Sequence, residues 1–151
     1  MKSKLLIVIV AFSLIFFMWL YFLINPSYDK SIRAKYYYEI GDYREALSLA
    51  REAFSIDIYN RMASTIMAQS ITSMKYTSYI EDAKKYMLSI NAIAVHDVVS
   101  DADKAKLRLI CKIMISSYVK LAPSVITDKD LIKSAAQYND KFEKLLEKIN
   151  K

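Results

Sequence analysis

The sequence predicts an all-α chain: one amino-terminal transmembrane helix followed by a stack of about three antiparallel helix pairs. Three observations carry this. Leu5 to Ile24 is a run of twenty residues broken only by Ser13. The 127 residues that follow show no alternating strand pattern of useful length, and their apolar residues recur at steps of three and four. Turn formers are almost missing, with one glycine (Gly41) and two prolines (Pro26 and Pro123) in 151 residues.

Composition also removes whole classes of chemistry. Phosphate-cradling loops need several glycines for close backbone approach, and this chain has one. One histidine (His96) and one cysteine (Cys111) cannot supply the soft ligands of a zinc site, and a lone cysteine forbids an internal disulfide. Outside the apolar run the hydrophobic fraction is about 49%, an ordinary globular value. The formal charge of +6 falls to +4 once Lys2 and Lys4 are set aside, with acids and bases interleaved. No basic stripe suits a nucleic acid. No catalytic, cofactor-binding or metal-ligating residue is assigned, and no cofactor or small-molecule substrate is expected.

Residues 1–24 read as a signal anchor. Twenty residues at a helical rise span about 30 Å, the thickness of a bilayer's hydrocarbon core. A cleaved signal peptide is the competing reading. It needs small residues at its exit, where this chain has Trp19, Tyr21, Phe22, Leu23 and Ile24. Lys2 and Lys4 favour a cytoplasmic amino terminus, against Lys30, Arg33 and Lys35 on the far side. The expectation is a single pass through the inner (cytoplasmic) membrane with the remainder extracytoplasmic, which is periplasmic in a diderm bacterium.

Asn25-Pro26 interrupts the run, and residues 25–33 form the juxtamembrane start of the next helix. Helices are expected at Tyr28–Ile40 and Tyr43–Ile56 around a Gly41-Asp42 turn. A second pair is expected at Met62–Met74 and Ile80–Asn91, with Ser78 and Glu81 as a capping box for the latter. Residues 92–100 read as a connector. Ser100 and Asp103 open a helix over Ala102–Leu121 that Pro123 closes. That helix is apolar around most of its circumference, so burial against several neighbours is expected. The last helix, from Thr127-Asp128, carries Leu131, Ala135, Tyr138, Phe142, Leu145 and Ile149 as one stripe, opposite Lys133, Asp140, Lys144, Glu147 and Lys148.

The stretch from Ala34 to Asp57 resembles a tetratricopeptide repeat, a 34-residue helix-turn-helix unit marked by spaced small and aromatic residues. Ala34 takes the close-approach place of the first helix and Tyr37 the aromatic place one turn later. Gly41 and Tyr43 mark the turn, and Ala46, Ala50 and Ala53 line the second helix. Lys30 and Arg33 stand where the family favours Trp and Leu, and Ile58 where Pro usually ends the unit. A second unit is degenerate: Met67-Ala68 and Ile71 echo the first, and Ala83, Tyr86, Met87 and Ile90 follow only with an insertion near Tyr76–Tyr79. The resemblance implies helix pairs over 34–91; a carboxy-terminal pair with a capping helix is expected over 92–151 from its helical patterning, without the signature. An unrelated helical bundle is the alternative. The family binds protein partners in a groove lined by first helices, which here implies Tyr36, Tyr38, Ser64, Gln69 and Ser73.

Several tempting features have plainer readings. Three consecutive tyrosines point 100° apart on a helix, so Tyr37 is expected in the core and Tyr36 or Tyr38 against a partner or the membrane surface. His96-Asp97 reads as a polar pair at a loop or helix end, and Cys111 as an inert buried thiol. Met62, Met67, Met74 and Met87 sit at core spacings. The expected function is a non-enzymatic, membrane-anchored scaffold or adaptor for protein partners in a larger bacterial envelope assembly, such as a flagellar motor or secretion complex. The alternatives are a periplasmic chaperone or assembly factor and, with least support, a hydrolase using an unrecognised carboxylate pair.

Overall fold

A computed structural model describes residues 2–95, 99–123 and 127–150, with side chains from residue 6 onward except 22 and 23. The described residues form six helices and no strand: α1 (Lys2–Ile24), α2 (Pro26–Glu39), α3 (Tyr43–Ile56), α4 (Arg61–Ala94), α5 (Asp101–Val119) and α6 (Lys129–Asn150). The chain divides into two compact units, Met1–Ile71 and Thr72–Lys151, with the boundary inside α4 rather than at residue 92. His96-Asp97 and Ser124 lie outside the described residues.

In the first unit, large apolar side chains of α1 such as Leu6, Phe12, Phe17 and Trp19 are exposed. Among the described residues no single helix is long and apolar enough to cross a membrane. The segments Leu6–Tyr21 and Pro26–Glu39, bent by 78°, meet that requirement only as a pair. Asn25 makes the break. Its side chain accepts from the Ser27 N–H at 3.1 Å, and Pro26 takes the first helical position, where a missing N–H costs nothing.

α2 and α3 run antiparallel around Gly41. Its φ of +85° is open to glycine and strained for a residue with a Cβ. Asp42 caps α3 by accepting from the Glu45 N–H at 3.1 Å. Ala34, Ala46, Ala50 and Ala53 are fully buried, letting the two backbones approach. Tyr37 is half-buried against the cluster of Ala34, Ala46, Leu49, Ala50 and Ile66, and Tyr43 stacks its ring 5.3 Å from that of Tyr38. Lys30 Nζ donates to Glu52 Oε2 at 2.6 Å, and this bond and charge hold the Glu52 carboxyl below its ordinary range.

The expected second helix pair is corrected: α4 is one helix of 34 residues where two helices, Met62–Met74 and Ile80–Asn91, were expected. The Ser78 capping signal is overridden because Tyr76, Tyr79, Ile80 and Ala83, at helical spacing, are all buried in the second unit's core. The Thr77 hydroxyl donates to the Ser73 carbonyl at 3.0 Å, a bond compatible with an unbroken helix.

The second unit packs the later part of α4 with α5 and α6 around Leu107, Ile110, Cys111, Met114, Ala135 and Phe142. Ser100 caps α5, accepting from the Asp103 N–H at 3.1 Å. Arg108, two turns into α5, donates to Asn150 Oδ1 and to the Ile149 carbonyl, tying α5 to the end of α6. The α6 stripe faces the core, with Ile132 and Leu146 widening it. α5 is not buried all round: Leu109, Ile113 and Val119 are exposed, because α4 and α6 cover only one side of it. Burial raises the Cys111 thiol above its usual range.

One buried group in this unit makes a prediction. Among the described residues the Tyr79 hydroxyl has no hydrogen-bond partner, and burial, with Tyr118 and Glu143 adding, pushes it up to about 12. An unfolded tyrosine titrates near pH 10. The stabilising contribution of protonated Tyr79 is therefore complete below about pH 10 and lost as pH rises through about 12. Tyr79→Phe is expected to stabilise the chain by ~1 kcal/mol at pH 7, by removing an orphaned hydroxyl. It should also flatten the loss of stability between pH 10 and 12. Urea unfolding at neutral and alkaline pH checks both.

Candidate partner-binding cleft

Within the first unit a polar knot sets the spacing of α2, α3 and α4. Ser27, Ser31 and Asn60 are fully buried. Asn60 Nδ2 donates to Ser31 Oγ at 2.7 Å and Ser27 Oγ at 2.8 Å, with the Ser27 carbonyl at 3.3 Å. Ser27 Oγ donates to the Ala53 carbonyl near the end of α3, and Ser31 Oγ to the Ser27 carbonyl, both at 2.8 Å. Asn60 also caps α4: its Oδ1 accepts from the Ala63 N–H at 3.1 Å and its carbonyl from the Ser64 N–H at 3.1 Å. Small side chains at 27, 31 and 34 share one face of α2, so the helices meet closely there without a large apolar filler.

Beside this knot, α2 and the start of α4 leave a cleft of ≈ 440 Å³ lined by Lys35, Tyr38, Glu39, Arg61, Met62, Thr65, Ile66 and Gln69. Its floor is apolar, with Ile66 buried and Met62 partly exposed. Its rim carries two cations and one carboxylate, and Lys35, Arg61 and Glu39 form no ion pair among the described residues. A rim with a net positive charge over an apolar floor has the dimensions and chemistry to seat a peptide-sized segment.

The residues implied by the repeat resemblance divide. Tyr38 and Gln69 line the cleft. Tyr36 is exposed outside it, its ring 5.6 Å edge-on from that of Tyr37. Ser64 is half-buried and outside the lining, its N–H bonded to Asn60. Ser73 is corrected: it is fully buried and belongs to the second unit, because α4 continues where a second hairpin was expected, carrying Ser73 onto an inward face. Lys35, Glu39, Arg61, Met62, Thr65 and Ile66 complete the cleft and were not among the partner contacts implied by sequence; Met62, expected at a core spacing, is instead exposed, because the cleft leaves one side of it uncovered. The helix-start position of Arg61, four residues before Thr65 and eight before Gln69, was the available signal.

Neither of two clefts among the described residues brings a pair of carboxylates together. The one just described holds Glu39, and a smaller one in the second unit, of ≈ 220 Å³, holds Asp82 beside Lys75. Among the described residues no group of three His, Cys, Asp or Glu side chains is placed to hold a metal ion. No family model matches this chain, and comparisons with curated proteins and with solved structures give no match.

Proposed function

We propose that this chain is a membrane-anchored, non-enzymatic adaptor that seats a segment of a partner protein in the cleft between α2 and α4. In this reading α1 is the anchor, α2 and α3 are a tetratricopeptide-like hairpin, and the partner belongs to a bacterial envelope assembly facing the periplasm. The observation that carries it is the position of the cleft: it opens on the first helix after the twenty-residue apolar run Leu5 to Ile24. Tethering confines the domain to the membrane plane and raises its effective concentration near membrane-borne partners, so a modest contact suffices. Lys35 and Arg61 favour a carboxylate on the bound segment, with an apolar side chain on Met62 and Ile66.

The test is capture of the tagged full-length chain from membranes in mild detergent, with mass spectrometry and stoichiometry, beside the Lys35→Glu/Arg61→Glu variant. The expected outcome is one assembly recovered at fixed ratio. The variant should weaken that recovery about tenfold or more, with helicity unchanged by circular dichroism. The partly exposed Met62 on the cleft floor favours a second reading, a chaperone with an adaptable surface. Many clients at low and variable ratio would replace the adaptor with that reading.

A further inference from the structure

We infer that the turn between α3 and α4 is a second membrane contact, a tip that dips into the interfacial layer of the bilayer beside the anchor. The inference rests on the reading of α1 as the anchor.

The tip is Ile56, Ile58 and Tyr59, which are 49%, 62% and 85% exposed. Three large apolar or amphipathic residues at one turn are unusual for a water-facing connection, which normally draws on Gly, Asn, Asp and Ser. The turn is held rather than loose. Asp57 Oδ1 accepts from the Tyr59 N–H at 2.9 Å, and the Asp57 carbonyl accepts from the Asn60 N–H at 3.1 Å. The one carboxylate of the turn is thereby folded back onto its own backbone, leaving the two isoleucines and the tyrosine at the apex.

The tip's position identifies what covers it. Asn60, next to Tyr59, is hydrogen-bonded to Ser27, and Ala53, at the last turn of α3, accepts from the Ser27 hydroxyl. Ser27 lies three residues beyond Ile24, where the apolar run ends, which is at most about 11 Å of backbone. The turn is thus pinned beside the point where α1 would leave the hydrocarbon. Just outside that boundary is the layer where tyrosine and tryptophan rings collect, with the apolar ring inward and the hydroxyl in the headgroups. Tyr21, at the end of α1, and Tyr28, at the start of α2, place their rings 6.5 Å apart at the same level of the chain. Two membrane contacts, one helical and one at a turn, would fix the tilt of the first unit and hold the cleft in one orientation to the bilayer.

Depth-dependent fluorescence quenching tests this in the full chain reconstituted into phosphatidylcholine vesicles. Trp19 is the single tryptophan. The wild-type chain therefore reports on the anchor, and Trp19→Phe/Tyr59→Trp reports on the tip. Lipids brominated near the headgroup end of the acyl chain are expected to quench the indole of the tip variant roughly twofold, and lipids brominated deep in the chain much less. Adding Ile58→Asp should abolish that quenching with the helical signal unchanged. Quenching of Trp19 without quenching at the tip would overturn the inference and leave the anchor standing. A blue-shifted tip indole that bromine does not reach would show a protein surface or a second copy on the turn, and would overturn it too. An unquenched Trp19 would remove the anchor and the tip together.

Discussion

Phe142→Ala is expected to destabilise the chain by ~3–5 kcal/mol, the range for emptying a fully buried aromatic position. Phe142 is the largest fully buried side chain and lies in the cluster where α4, α5 and α6 meet, among Tyr76, Tyr79, Ile110, Met114 and Ala135. A unit of this size has roughly 4–12 kcal/mol of stability, so the loss is a large fraction of the whole. Phe142→Leu keeps most of the volume and should cost under about 1.5 kcal/mol. Lys144→Ala, two residues along α6, removes only an exposed i,i+4 ion pair with Asp140 and should change stability by less than about 0.5 kcal/mol. Denaturant midpoints of the three variants in the full chain check the order. Equal effects for Phe142→Ala and Lys144→Ala would mean that the three-helix core is not built as described.

The contrast between Phe142 and Lys144 was legible without coordinates, because α6 is a one-stripe helix and steps of three and four sort its residues by face. The α2–α3 hairpin was legible for a different reason. Gly41-Asp42 combines a residue tolerant of positive φ with a capping carboxylate, and few other signals in the chain are as local. α3 indeed spans Tyr43–Ile56. The failure at α4 follows from the same reliance on local signals. Ser78 and Glu81 have the form of a helix start, but whether a capping residue caps depends on whether its neighbours are needed in a core, and four residues around it are. The exposed side of α5 was missed because apolar content says how much a helix could bury, not how many helices are present to cover it. The cleft was half legible: Tyr38 and Gln69 lie on first-helix positions, whereas Arg61 and Met62 gain meaning only once α4 starts beside α2. Least legible was the knot of Ser27, Ser31 and Asn60, since small polar residues on a tyrosine-rich helix that also carries Lys30, Arg33 and Lys35 resemble a solvated face. Ser27, Ser31 and Ala34, at steps of four and three, were the trace it left in the sequence.

That knot makes the second large prediction. Asn60→Ala is expected to cost ~2–3 kcal/mol, combining a lost helix cap with a buried N–H left unpaired. The stranded group is the Ala63 N–H; the Ser27 and Ser31 hydroxyls keep the carbonyls to which they donate. Asn60→Asp separates capping from the network. As a helix cap, aspartate is as good as asparagine. Were Asn60 only a cap, Asn60→Asp would be nearly neutral. In the knot, however, the amide nitrogen donates toward the Ser27 carbonyl and both serine hydroxyls, and a carboxylate has nothing to donate. Those hydroxyls could turn to the carboxylate only by abandoning the Ala53 and Ser27 carbonyls. Asn60→Asp should therefore be at least as destabilising as Asn60→Ala at pH 7. Burial raises the folded-state pKa of such a carboxyl above its unfolded value. The penalty is thus absent below the unfolded value and grows as pH rises through the folded one, so Asn60→Asp should recover stability in acid while Asn60→Ala does not. Thermal unfolding of both variants between pH 4 and 8 decides the point. Because the same amide fixes the spacing of α2 and α4, loss of the knot should also weaken any partner held between Lys35 and Arg61, and do so with every cleft side chain still in place.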